Sequence, residues 1–113
     1  MKTIEEMLPI VMAATADSRL KWTKKDLTLS TRVGKYRIDV WEWSDHENDN
    51  NGFSVGIYEG DNQIDYITAD QYSPRYSRVE DFYRMARRSA FNVGAIIDDI
   101  EKTILETPVP PKK

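Results

Sequence analysis

The sequence predicts one α+β domain: an N-terminal helix, a four-stranded antiparallel meander and a long C-terminal helix packed on one sheet face, in the order α-β-β-β-β-α. Three observations predict it. From Val79 onward, Val79, Phe82, Tyr83, Ala86, Ala90, Val93, Ile97, Ile100 and Ile104 recur at three- and four-residue steps and fall in one stripe of a helical wheel, which needs a buried partner. From Leu27 to Ile67 the apolar residues alternate at the two-residue period of strands, so that partner is a small antiparallel sheet. A chain of 113 residues supports one core, which makes residues 1–106 a single domain and residues 107–113 a Pro/Lys tail.

Thr3 and Glu6 have the spacing of a capping box, and Ile4, Leu8, Val11, Met12 and Ala16 form an apolar side behind it. The first helix is expected to run to about Ser18, with Pro9 either a kink or the true first turn. Leu20 and Trp22 follow in a connector rich in Lys21, Lys24, Lys25 and Asp26, where Trp22 is expected to close one end of the core. Leu27, Leu29, Thr31 and Val33 share a face of the first strand. Gly34-Lys35 turns the chain into Tyr36, Ile38 and Val40 of the second. Trp41 and Trp43 have the opposite parity to Val40, which points to a bulge or to a sheet partly covered on both faces. After a polar loop from Ser44 to Gly52, Phe53, Val55 and Ile57 form the third strand. Glu59-Gly60-Asp61-Asn62 then turns into Ile64 and Tyr66 of the fourth.

Beyond a loop from Thr68 to Tyr76, Ser77 and Glu80 give a second capping box that opens the last helix. Asn92 and Gly94 are its weak point. Because the apolar stripe stays in phase across them, a continuous or gently bent helix is expected. The prolines after Thr107 cannot continue it.

Hydrophobic residues make up 40% and charged residues 31% of the chain, which is globular rather than disordered composition. A net charge of −3 gives no long-range pull on a polyanion, so any nucleic-acid contact must come from a local patch. With no cysteine the chain has no disulfide, thiolate nucleophile or sulfur-ligated metal, and a reducing cytoplasm is the expected home. Glu5, Glu6 and Pro9 interrupt what would be the core of a signal peptide, and the apolar run there is too short to span a bilayer, so no membrane association is expected.

One charge cluster is basic. Arg75, Arg78, Arg84, Arg87 and Arg88 stand against only Glu80 and Asp81, and a regular helix puts Phe91 beside Arg87 and Arg88. Guanidinium groups with an aromatic at their edge can hold carboxylate or phosphate by forked hydrogen bonds and a ring by stacking. The plain reading is a solvated helix face, with Glu80 four residues before Arg84. At the far end, Asp98, Asp99, Glu101 and Glu106 make an acidic stretch slightly unfavourable at a helix C-terminus, which a partner's basic patch, including a twin molecule's arginines, would neutralise.

In the loop Asp45 to Gly52, the residues Asp45, Glu47, Asp49 and Asn51 have the early rhythm of a calcium loop, but its glycine and bidentate glutamate positions hold Asn50 and Gly56. An ordinary hairpin loop is expected. His46, the only histidine, lies in that loop without a nucleophile context, and no phosphate loop, zinc pattern or paired-histidine motif occurs. No metal, cofactor or catalytic residue is therefore expected. Asp39, Glu42 and Asp65 read as outward strand positions. Trp41 and Trp43, with Tyr58 or Tyr66 beside them, read first as core filling and second as a contact surface.

The step Leu20-Lys-Trp22, Tyr66 on the last strand and Phe82-Tyr-Arg-Met-Ala-Arg-Arg88 opening the last helix are the features by which the chain resembles small uncharacterised bacterial or phage proteins of helix-meander-helix plan. The resemblance spans most of the chain and implies a fold outline, which secretion chaperones share, with no activity attached. The functional expectation is a non-enzymatic module of adaptor, immunity or phage-accessory type that binds a protein partner or a second copy of itself. Arg84, Arg87, Arg88 and Phe91 are its first contact residues, and Trp41 and Trp43 its second. The alternative is nucleic-acid binding through Arg75, Arg78, Arg84, Arg87 and Arg88.

Overall fold

The computed structural model describes residues 2–111, which run as α1 (Ile4–Ala16), β1 (Thr23–Lys25), β2 (Thr28–Val33), β3 (Tyr36–Asp45), β4 (Asn50–Glu59), β5 (Asn62–Asp70), α2 (Tyr76–Ala90) and α3 (Val93–Glu106). The class is α+β, as the two periodicities require. The five strands pair in sequence order, every neighbour antiparallel.

Each element follows from local chemistry. The Thr3 hydroxyl accepts from the Glu6 N–H at 3.2 Å and caps α1. The helix runs through Pro9 and ends at Ala16; Pro9 is on the exposed side, so the hydrogen bond it cannot donate is lost next to water. Ile4, Leu8 and Val11 point into the core, whereas Ala16 at the helix end is exposed. Leu29, Thr31, Ile38, Val40, Phe53, Val55 and Ala69 make the inner face of the sheet, and Val79, Phe82 and Ala86 of α2 close over it. In the register, Leu29 lies opposite Val40, and Val40 opposite Val55, so the three central strands align their apolar rows. Trp22 closes one end of this core as expected. It is 3% exposed, its ring meets Phe82 edge-on at 5.6 Å, and its indole N–H donates to the Thr15 hydroxyl at 3.0 Å.

Three expectations need correction. The sheet has five strands, because Thr23–Lys25 pairs with Thr28–Ser30 through a turn in which Asp26 takes φ 56°. Three polar residues carry no apolar alternation, and their pairing is a backbone matter that lysines then protect at the sheet edge. Leu27 is consequently a turn residue, 80% exposed, rather than an inward strand position. Of the two readings offered for Trp41 and Trp43, the partly covered second face is the one found: β3 and β4 pair without irregularity, the register shift falls between Ile57 and Tyr58 against β5, and both tryptophans are half-buried on the outer face. At α2 the cap is Arg75 with no side-chain bond, so Ser77 sits inside the first turn instead of capping it.

The largest correction concerns the C-terminus. Asn92 adopts φ 51°, ψ 51° and divides the expected single helix into α2 and α3. Phe91 N–H still bonds to the Arg87 carbonyl and closes α2. No residue of α3 is buried: Ile97 is 48%, Ile100 54% and Ile104 66% exposed. The Cα radius of gyration is 17.9 Å, against about 13 Å for a compact domain of roughly this length, and the long dimension is 65 Å. Only the α2 half of the predicted helix packs on the sheet.

Candidate functional site

The exposed side of α2 carries the residues that the charge pattern singled out, and the fold divides them. Arg78 turns toward α1 and pairs with Glu5 at 2.9 Å. Arg75 is half-buried at the start of α2. Arg84, Arg87, Arg88 and Phe91 stay together on the other side, so the five arginines do not form one surface.

That second side is concave. Two adjoining hollows share Glu42, Tyr83 and Arg87: one continues along α2 to Phe53, Arg84, Arg88 and Val93, the other toward β1 and β2 to Lys24, Leu27 and Phe91. The floor is apolar and aromatic. Phe53 stacks at a tilt on Tyr83 with ring centroids 4.9 Å apart, which holds the phenol at the centre of the groove. Two cations lie near the Phe91 ring, with Lys24 Nζ 5.3 Å and the Arg87 guanidinium 5.4 Å from its centroid. Arg84 is drawn to Glu80 at 3.4 Å, an exposed pair of little energetic weight. Among the described residues, Arg87 and Arg88 make no ion pair, which leaves their donors available at the rim.

Glu42 was expected on an outward strand face. It shares parity with Ile38 and Val40 and therefore lies on the helix side of the sheet, just past the area α2 covers. There β3 outruns its neighbour, since the β2 pairing ends at Thr28 opposite Trp41, and Glu42 to Asp45 have β4 alone beside them. The groove thus lies next to a short stretch of unpaired strand edge.

Trp41 and Trp43 belong to the opposite face. Gly52, Ser54 and Gly56 leave a shallow trough along β4, and aromatic rings fill it. A Cβ added at Gly52 would fall 2.6 Å from the Trp43 ring, and one at Gly56 2.9 Å from the Tyr58 ring. The Trp43 indole N–H donates to the Thr68 hydroxyl at 3.2 Å. The Arg37 guanidinium stacks on Tyr58 at 4.5 Å and its Nε donates to Asp39 at 2.9 Å, where Ser30 also donates at 2.7 Å. This outer face is a satisfied polar and aromatic layer. Of the two tryptophans, only Trp43 also reaches the groove, at its margin.

The Asp45–Asn50 connection closes as a hairpin. Asn48 donates to both carboxylate oxygens of Asp45, and that side-chain bond foremost holds the Asp45 carboxyl below its usual range. His46 is exposed at the tip. Among the described residues, no group of three or more His, Cys, Asp or Glu is arranged to hold a metal ion, and no helix is long and apolar enough to cross a membrane.

Comparison with protein-family models, with curated proteins and with solved structures finds no match for this chain.

α3 completes the candidate site. At about 100° per residue, Val93, Ile97, Ile100 and Ile104 form one stripe, with Ile96 at one side and Glu101 at the other. Sequence reasoning counted this stripe as core. Periodicity identifies an apolar face but does not say whether the surface that covers it belongs to the same molecule. The left-handed Asn92 was the available signal, since asparagine is among the few residues that adopt that conformation readily.

Proposed function

We propose that the protein is a non-enzymatic interaction module whose principal contact element is α3, with the Arg84, Arg87, Arg88 and Phe91 side of α2 as a second contact surface. The observation that carries this reading is the 14-residue helix with an isoleucine stripe and no buried residue. A helix of that length is marginal in water on its own and draws its stability from packing of its apolar face. Within this protomer its one substantial neighbour is the end of α2. The remaining cover therefore comes from another macromolecule, and the Ile-rich, acid-flanked face suits a protein groove of opposite charge. Adaptor, immunity and phage-accessory roles all fit such a module. A cytoplasmic location is part of the reading, supported by the cysteine-free composition.

The test is a paired measurement on Ile97→Asp/Ile100→Asp. Loss of association in light scattering and affinity capture, with an unchanged melting temperature, is the expected result. Association indifferent to both substitutions refutes the reading. The nucleic-acid alternative has the weaker support, because Arg78 and Arg84 already face carboxylates and Arg75 is half-buried. It requires affinity that falls steeply with salt, and a flat gel-shift response to salt disposes of it.

A further inference from the structure

An exposed stripe of isoleucines defines a need, and the same chain carries a surface that meets it. The polar flanks of α3 are acidic: Asp98, Asp99, Glu101 and Glu106 against the single Lys102. The groove beside α2 is the opposite, with Lys24, Arg84, Arg87 and Arg88 against Glu42 and Glu80, over a floor that includes Phe53 and Tyr83. Shape class and sign both match.

We infer that α3 of one protomer lies in the Tyr83–Arg87 groove of a second copy of this chain, and that the exchange is reciprocal about a two-fold axis. The inference rests on α3 being the contact element, as proposed above. Three arguments select the second copy over other occupants. Pairing α3 with α3 brings two acidic helices side by side, whereas α3 in the groove sets carboxylates against Arg87 and Arg88, which make no ion pair within the described protomer. The protomer's own groove is not covered by α3, because α2 is the one substantial neighbour of α3 and no residue of α3 is buried. Size argues for reciprocity. A helix of 14 residues is about 21 Å long and about 10 Å wide, a footprint of only a few hundred Å². A stable interface buries about 800 Å² on each partner. An isologous dimer makes every contact twice, giving each protomer both a helix and a groove at the interface.

The electrostatics provide the experiment, using the full chain and dimer dissociation constants from sedimentation equilibrium. Arg87→Glu/Arg88→Glu opposes an acidic groove to an acidic helix, and Asp99→Arg/Glu101→Arg opposes a basic helix to a basic groove. Each variant alone is expected to weaken the dimer by about tenfold or more. Mixed in equal amounts, the two should recover association, because in the mixed dimer both helix–groove contacts are again of opposite sign. Circular dichroism melts, unchanged for both, exclude a folding defect. A wild-type protein that stays monomeric at the highest attainable concentration overturns the inference. So does a dimer that survives Arg87→Glu/Arg88→Glu, which indicates α3 pairing with α3. Both of those results leave the interaction reading standing if capture of another protein still depends on Ile97 and Ile100; if no association depends on them, both statements fall together.

Discussion

α2 and α3 carry one continuous apolar stripe at the same spacing, yet Val79, Phe82 and Ala86 are buried while Ile97, Ile100 and Ile104 face water. The difference lies in what is opposite. α2 sits over the widest part of the sheet, where Val40 and Val55 rise to meet it. α3 has no substantial contact with any strand. Amphipathicity is a property of a segment, whereas burial is a property of a pair of surfaces, and an equal stripe has opposite consequences for folding on the two sides of Asn92.

The packed half of the stripe depends most on Phe82. Phe82→Ala, which removes the ring that meets Trp22 edge-on, should destabilise the protomer by about 3–5 kcal/mol in urea unfolding. A loss below about 1 kcal/mol, the centre of the range for ordinary point mutations, would mean that α2 is no better packed than α3. At the junction, Asn92→Ala substitutes a residue that pays about 1–2 kcal/mol for the left-handed region and is the best helix former. It should tip α2 and α3 toward a single continuous helix, read as a changed distance between spin labels on Lys24 and Lys102. Unchanged distances would place the cause of the bend elsewhere.

Ile100→Ala should change the stability of the dilute protomer by less than about 0.5 kcal/mol, as for a surface position. A core-sized loss there would show that α3 is covered within its own chain. The smallest effect is expected at Tyr76, the first residue of α2. Burial, with Glu80 and Glu42 as lesser causes, raises its phenol above the ordinary value of 10.0. The folded state therefore holds that proton more tightly, so the contribution is fully present below pH 10 and is lost as pH rises through the raised value. Tyr76→Phe should leave neutral stability nearly unchanged and flatten the alkaline fall, as followed by thermal melts across that range.

The α+β class, the inner face of β2, β3 and β4, α1 and the sealing role of Trp22 were legible in the sequence, because each is announced by periodicity or by a cap such as Thr3; on β5 the sequence pointed to Ile64 and Tyr66, which are exposed, whereas Ala69 is the buried residue. The three-residue strand β1 was not legible, since Thr23–Lys25 pairs through backbone groups that every residue type shares. The break at Asn92 was half legible: the weak residue was identifiable, but the phase of the stripe argued for continuity, and phase says nothing about where the sheet ends. At the candidate site, Arg84, Arg87, Arg88 and Phe91 were found from charge and helix geometry. Lys24, Glu42 and Tyr83 were missed as groove residues, because the meeting of β1, β3 and α2 is a fact of topology and leaves no local trace.

The rings lying over Gly52 and Gly56 have an effect that reaches the other end of the chain. Like shingles laid on bare boards, Trp43 and Tyr58 weatherproof the outer side of β4 with side chains from the sheet itself. That side needs no second helical layer. The C-terminal segment is thereby released from roofing duty, and the chain can hold an entire helix clear of its body without leaving a wet core behind.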